Sequence, residues 1–196
     1  MIRNDRLAQT LTGIQPVPFT GICYRVIDMK YVLQGDHILS GKGAYLASGR
    51  FHRKGDFPCV YLGESIATVT QEVIEPPIFP PKVLVSVSIR VHNLLDLTDE
   101  KVLDELDTTI QEMTGRWEKS YNLGKVPSTQ ILGKVAYDSG RFEGIIYYSC
   151  KTNYLAKNLV LFTDKLVNGS YITLHDPDQL IGKKYRKKVN DKFIPG

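Results

Sequence analysis

The chain has little of what would assign it at a glance. Cysteine is sparse: Cys23, Cys59 and Cys150 are an odd number at wide spacing, with no Cys-x-x-Cys pair and no histidine at ligand distance. A disulfide framework and a patterned zinc site are thereby excluded, no metal centre is expected, and the thiols are predicted to be reduced and buried. Long hydrophobic runs are also missing. No segment reaches the length of a membrane span, and MIRNDRLAQTLTG lacks the apolar core of a signal peptide. A cytoplasmic protein with no membrane contact is the expectation. Internal repeats, heptads and low-complexity tracts are absent too, which excludes solenoids and coiled coils.

Charge of one sign is scarce except in one place. The net charge is +4, yet residues 183–196 (KKYRKKVNDKFIPG) hold six Lys or Arg against one Asp, so the rest of the chain is close to neutral. A basic tail of this kind reads as a solvated terminus. With no recognition-helix pattern or zinc spacing beside it, direct nucleic-acid binding is not expected.

What is present fits one domain over residues 1–196, with 42% hydrophobic residues, enough to bury a core. GICYRVI (21–27) and CVYLGE (59–64) read as strands. SIATVTQEVI (65–74) reads as a helix capped by Ser65 and ended by the prolines at 76, 77, 80 and 81. KVLVSVSIRV (82–91) alternates with period two, placing Val83, Val85, Val87, Ile89 and Val91 on one face. A helix is predicted from a Thr98 cap to about residue 113, and another over 129–140 capped by Ser128. GIIYYS (144–149), NLVLF (158–162) and YITLH (171–175) complete about six strands. Strands scattered among two or three helices predict an α+β domain on a mixed, largely antiparallel sheet.

The most unusual stretch is SGKGAYLASGRFHRKGDFPCVYLGES (40–65), with five glycines and interleaved cations. It matches neither the Walker nor the Rossmann pattern. Its chemistry alone leaves two readings open, a phosphate cradle of backbone amides and guanidinium forks, or a long surface loop.

Arg25 in CYRVI, LSGKGAYLASGR with Tyr45 and Arg50, VYLGES with Tyr61, and Glu72 in TQEV form an ordered set. It continues through LVSVSIRV, DLTD, Trp117, the STQ at 128–130 and FEGIIYYSCKTNYLAKNLVLF with Ser149. Over about residues 21–162 this set resembles the RES-domain family, named for an Arg, a Glu and a Ser. The chain departs from the family pattern in places: SGRFH stands where a Gly-Gly-Arg-Trp-Asn run is usual, so Phe51 replaces Trp and His52 replaces Asn. Lys151 stands where an Arg often follows the serine.

The resemblance implies a fold like that of ADP-ribosyltransferase-type toxins and the role of toxin in a toxin–antitoxin pair. NAD would be the substrate rather than a bound cofactor, inorganic phosphate a possible co-substrate, an Xre-type antitoxin the partner, and a homodimer a possible assembly. It implies cleavage of the nicotinamide–ribose bond by phosphorolysis or hydrolysis, with ADP-ribosyl transfer to a protein, or a non-catalytic binding domain, as alternatives. The roles it suggests are Glu72 as the carboxylate facing developing ribose charge, Arg25 and Arg50 as phosphate ligands, and Tyr61 as an aromatic wall. Ser149 would hold either the ribose or Glu72, while Tyr45, His52 and Lys151 would contribute to substrate binding. One carboxylate suffices because nicotinamide departs as a neutral pyridine and needs no proton, unlike the alkoxide leaving group of an ordinary glycosidase.

Overall fold

Five strands pair around a closed circuit, and a sixth adds to its longest member. In chain order the computed structural model has α1 (Ile2–Gly13), β1 (Val17–Asp28), α2 (Met29–Leu33), a 3-10 turn (Lys42–Tyr45), β2 (Cys59–Gly63), α3 (Ile66–Val73) and β3 (Lys82–Asp96). Then follow α4 (Glu100–Glu105), α5 (Ile110–Thr114), α6 (Trp117–Asn122), α7 (Ser128–Asp138), β4 (Gly144–Tyr148), β5 (Lys157–Phe162) and β6 (Tyr171–Leu174). It describes residues 2–33, 38–73, 80–151 and 156–176. The basic tail at 183–196 and the prolines at 76 and 77 lie outside the described residues.

The sheet order is β1-β2-β5-β4-β3-β6, and β1 also pairs with β3, which closes the circuit. Every pairing is antiparallel except β3 with β4. The mixed, largely antiparallel α+β domain is therefore present. The alternation over 82–91 is obeyed, with Val85, Val87, Ile89 and Val91 all buried, and the strand runs on to Asp96.

Because side chains alternate along a strand, the sheet separates two cores. One face collects aliphatic groups: Val60 and Leu62 of β2, Val87 and Ile89 of β3, Ile146 of β4, and Leu159 and Leu161 of β5. The other carries Tyr61, Tyr147, Val160 and Phe162, and is covered by Leu11 and Ile14 from the N-terminal helix region and by Leu132 and Ala136 of α7.

The helices depart from the sequence reading, which has two or three; seven lie among the described residues. The segment after Thr98 is not one helix to 113. Thr98 donates its amide and hydroxyl to Asp96 Oδ1, and Asp99 caps α4 by accepting from the Lys101 amide at 2.9 Å. Asp107 adopts a positive φ of 52°, which ends that helix, and Thr109 caps α5 through the Glu112 amide. Ser128 is likewise not a cap: Pro127 occupies that position with no side-chain bond. Ser65 does cap α3, accepting from the Thr68 amide at 3.1 Å.

Candidate active site

Glu72 lies in the last turn of α3, and three elements converge on it. Ser149, immediately after β4 and fully buried, donates its hydroxyl to Glu72 Oε1 at 2.7 Å. Asn158, near the start of β5, donates its side-chain amide to the same oxygen at 3.0 Å. Ser149 Oγ also accepts from the Lys151 amide at 3.2 Å. Its proton is thus committed to the carboxylate, and of the two roles suggested for Ser149 the geometry has the second.

The approach of α3 to the sheet depends on Gly63. A Cβ there would lie 2.6 Å from Val69 Cγ1 and 3.2 Å from Asn158 Oδ1, so only glycine lets the helix settle onto β2 and β5.

Glu72 opens on a cavity of about 850 Å³, near the upper end of the roughly 300–1,000 Å³ usual for small-molecule sites. Its floor is sheet: Tyr61, Tyr147 and Asn158, which point to the aromatic face by strand alternation. Its far wall is the segment from Thr114 to Asn122, bringing Arg116, Trp117 and Lys119, and Cys150 and Lys151 add a third side.

Arg50 joins two of these walls. Its Nη1 donates to the carbonyls of Met113 at 2.9 Å and Gly115 at 2.7 Å, at the end of α5, and its Nη2 points to Cys150 Sγ at 3.6 Å. These contacts leave Nε and one Nη2 hydrogen for a ligand in the cavity.

Tyr61 and His52 form a closed hydrogen-bond set. His52 is buried, with Nε2 3.0 Å from the Ala47 carbonyl and Nδ1 2.9 Å from the Tyr61 hydroxyl. A carbonyl only accepts, so Nε2 carries the proton, Nδ1 accepts from Tyr61, and the Tyr61 oxygen accepts from the Phe51 amide at 3.0 Å. Burial pushes the His52 pKa down and the Tyr61 phenol well up, so both stay neutral near pH 7. Tyr61 is a wall of the cavity and not an acid. Its packing requires Gly49, where a Cβ would sit 2.6 Å from the His52 ring and 2.8 Å from the Tyr61 hydroxyl.

Several suggested residues lie elsewhere. Arg25 does not line the cavity. It donates to the Ile38 carbonyl at 3.0 Å, and burial lowers its pKa to about 10. That bond occupies one of the five N–H groups of the guanidinium. Tyr45 is 44% exposed on the 3-10 turn and does not line the cavity either, and His52 reaches it only through Tyr61. Of the 40–58 loop, Gly49 and Arg50 alone reach the wall. Arg53 turns away to Asp56. The loop is clamped from behind, where Gln130 Nε2 donates to the Gly49 carbonyl at 2.9 Å, and a Cβ at Gly133 would collide with the Phe51 carbonyl. Cys23 and Cys59 are buried thiols pushed up to about 12 by burial, while Cys150 is half-exposed in the cavity, against the expectation that all three are buried.

Asn158, Tyr147, Arg116 and Lys119 were not singled out from sequence. An amide opening the otherwise apolar run NLVLF was the one local signal for Asn158. Among the described residues no group of three His, Cys, Asp or Glu is placed to hold a metal, and no helix is long and apolar enough to cross a membrane.

The family model of the RES domain matches residues 22–178. The chain belongs to the RES-domain family. No curated protein matches it. Among solved structures, this RES domain is similar to a chain of the M. tuberculosis MbcT–MbcA toxin–antitoxin complex, with a TM-score of 0.63 at 17% identity over 89% of this chain and 91% of that one. At that identity the likeness establishes the shared fold. Of Arg25, Glu72 and Ser149, the three residues that the resemblance puts forward, Glu72 and Ser149 are hydrogen-bonded to each other.

Proposed function

We propose that this RES domain is an NAD-consuming toxin of a toxin–antitoxin pair that breaks the bond between nicotinamide and ribose. The observation that carries the proposal is the Glu72 carboxylate, held by Ser149 and Asn158 in the wall of a cavity that combines aromatic rings with cations. When the C–N bond of NAD breaks, its electron pair stays on the pyridinium nitrogen and neutralises it, while positive charge grows on the ribose. A fixed anion beside that ribose stabilises the transition state more than the ground state. Water then supplies an oxygen to the anomeric carbon with loss of a proton, or a phosphate oxygen takes its place.

The rings of Tyr61 and Tyr147 provide a face for the nicotinamide. The pyrophosphate falls to Arg50 together with Arg116, Lys119 and Lys151, the other cations lining the cavity. A phosphate co-substrate would draw on the same set, since His52 is neutral and Arg53 is paired away from the cavity. An antitoxin partner belongs to the same proposal, supported by the family and by the antitoxin bound in the MbcT–MbcA complex; its Xre type and a homodimer are proposed from the sequence resemblance.

The test is to incubate the protein with NAD alone, with phosphate, and with cell extract, and to identify the products by mass spectrometry. Nicotinamide with ADP-ribose indicates hydrolysis, and ADP-ribose-1″-phosphate indicates phosphorolysis. Label transferred to protein would replace both with ADP-ribosylation, and intact NAD in all three mixtures would overturn the proposal.

A further inference from the structure

One oxygen of the Glu72 carboxylate receives both of the hydrogen bonds described above, and among the described residues nothing donates to the other. A glutamate in the last turn of a helix has three side-chain torsions to order, so the direction of its free oxygen depends on what holds the bound one. The two donors differ. The Ser149 hydroxyl rotates about a single bond, whereas the Asn158 amide is rigid and sits on a strand fixed from both sides. Asn158 pairs with Gly63 of β2 and with Tyr147 of β4, and is 5% exposed. Its Oδ1 faces the bare Cα of Gly63, the same glycine that lets α3 approach. The backbone that carries the amide is thus held on both sides, beneath the helix that carries Glu72.

We infer that Asn158 is a positioning residue, which together with Ser149 pins Glu72 Oε1 and leaves Oε2 to the reacting sugar. The reaction named rests on the NAD reading above; the hydrogen bond does not. Asparagine suits the task because it donates without charge. A lysine at this position would cancel the anion that the developing oxocarbenium needs, and an aspartate would repel it. It also does not titrate, so the constraint persists at every pH. The next inward-facing positions on β5 are Val160 and Phe162, and packing alone would favour an apolar residue at 158 as well.

The test uses the full chain labelled with 13C at glutamate Cδ, the Glu72 carboxyl resonance being identified by its loss in Glu72→Gln. In Asn158→Ala that resonance should move. The kcat for nicotinamide release should fall about tenfold or more while KM changes less than about threefold. Adding Asn158→Ala to Glu72→Gln should cost nothing further, because the carboxylate it positions is gone. The isosteric Asn158→Asp keeps the volume, serves if the alanine variant fails to fold, and should lose at least as much. An unmoved Glu72 resonance, or an equal loss with and without the carboxylate, overturns the inference. A moved resonance in a protein that leaves NAD intact upholds the positioning role and refutes the NAD reading.

Discussion

The two faces of the sheet are built from the same strands by opposite rules. On one face Val60, Leu62, Val87, Ile89, Leu159 and Leu161 make a dry aliphatic core. On the other, one residue along in each strand, Tyr61, Tyr147 and Asn158 form the floor of the cavity, and Tyr61 and Asn158 hold polar atoms with assigned partners. The aliphatic face needs only volume and shape, so its residues are interchangeable in kind. The cavity face needs particular atoms at particular places, and three of its polar groups are tied to other segments: Glu72 to two strand ends, Arg50 to the end of α5, Tyr61 to His52.

The largest effect should come from the aliphatic face. Ile89→Ala leaves a cavity in β3 and should cost about 2–5 kcal/mol of stability in urea unfolding, with NAD turnover per folded molecule unchanged. A matching loss of specific activity would show that the faces are not separable.

Glu72→Gln is the converse. Removing the fixed charge should lower turnover by about 10²–10³, near 3–4 kcal/mol of transition-state stabilisation, while the thermal midpoint stays close to that of the parent.

Arg50→Lys should come next. An ammonium cannot span the Met113 and Gly115 carbonyls while also facing the cavity, so kcat/KM for NAD should fall by about tenfold, measured by nicotinamide release. Rim cations should matter less. Arg116→Ala and Lys119→Ala are exposed positions, and each should raise KM by no more than about fivefold, with the difference shrinking in high salt.

The smallest expected effect tests the link between Tyr61 and the fold. His52 has its pKa lowered in the folded state by burial, so below the unfolded value of about 6.5 the unfolded chain takes up the proton first. This contribution to stability is complete above about pH 6.5 and is lost as pH falls through the lower folded pKa. His52→Asn should therefore flatten the acid side of a plot of thermal midpoint against pH, on a midpoint lowered throughout by loss of the bonds to Tyr61 and Ala47.

Much of the sheet was legible in advance because strand signals are local. The period-two run of 82–91 and the aromatic and β-branched segments at 59, 144, 158 and 171 each reported their own burial, and Ser65 announced the start of α3. The helices α4 and α5 read as one from Thr98 to about 113 because a single left-handed residue, Asp107, separates them, and no residue-level preference marks that position strongly. The circuit closed by β1 and β3 was beyond reach too, since the sequence does not show which strands meet.

The same division holds for the site. The sequence by itself determined the strands and the absence of a metal or disulfide pattern, and its resemblance put forward Glu72, Ser149 and Arg50 as residues to look for. Only the tertiary structure decided that Arg25 donates to the Ile38 carbonyl, that His52 is a neutral support for Tyr61, and that Asn158 completes the hold on Glu72. The reason is physical: a side chain's type and spacing state what it can bond to, but its partner is set by which distant segments the folded chain brings within about 3 Å, and here those partners stand 13, 9 and 86 residues apart.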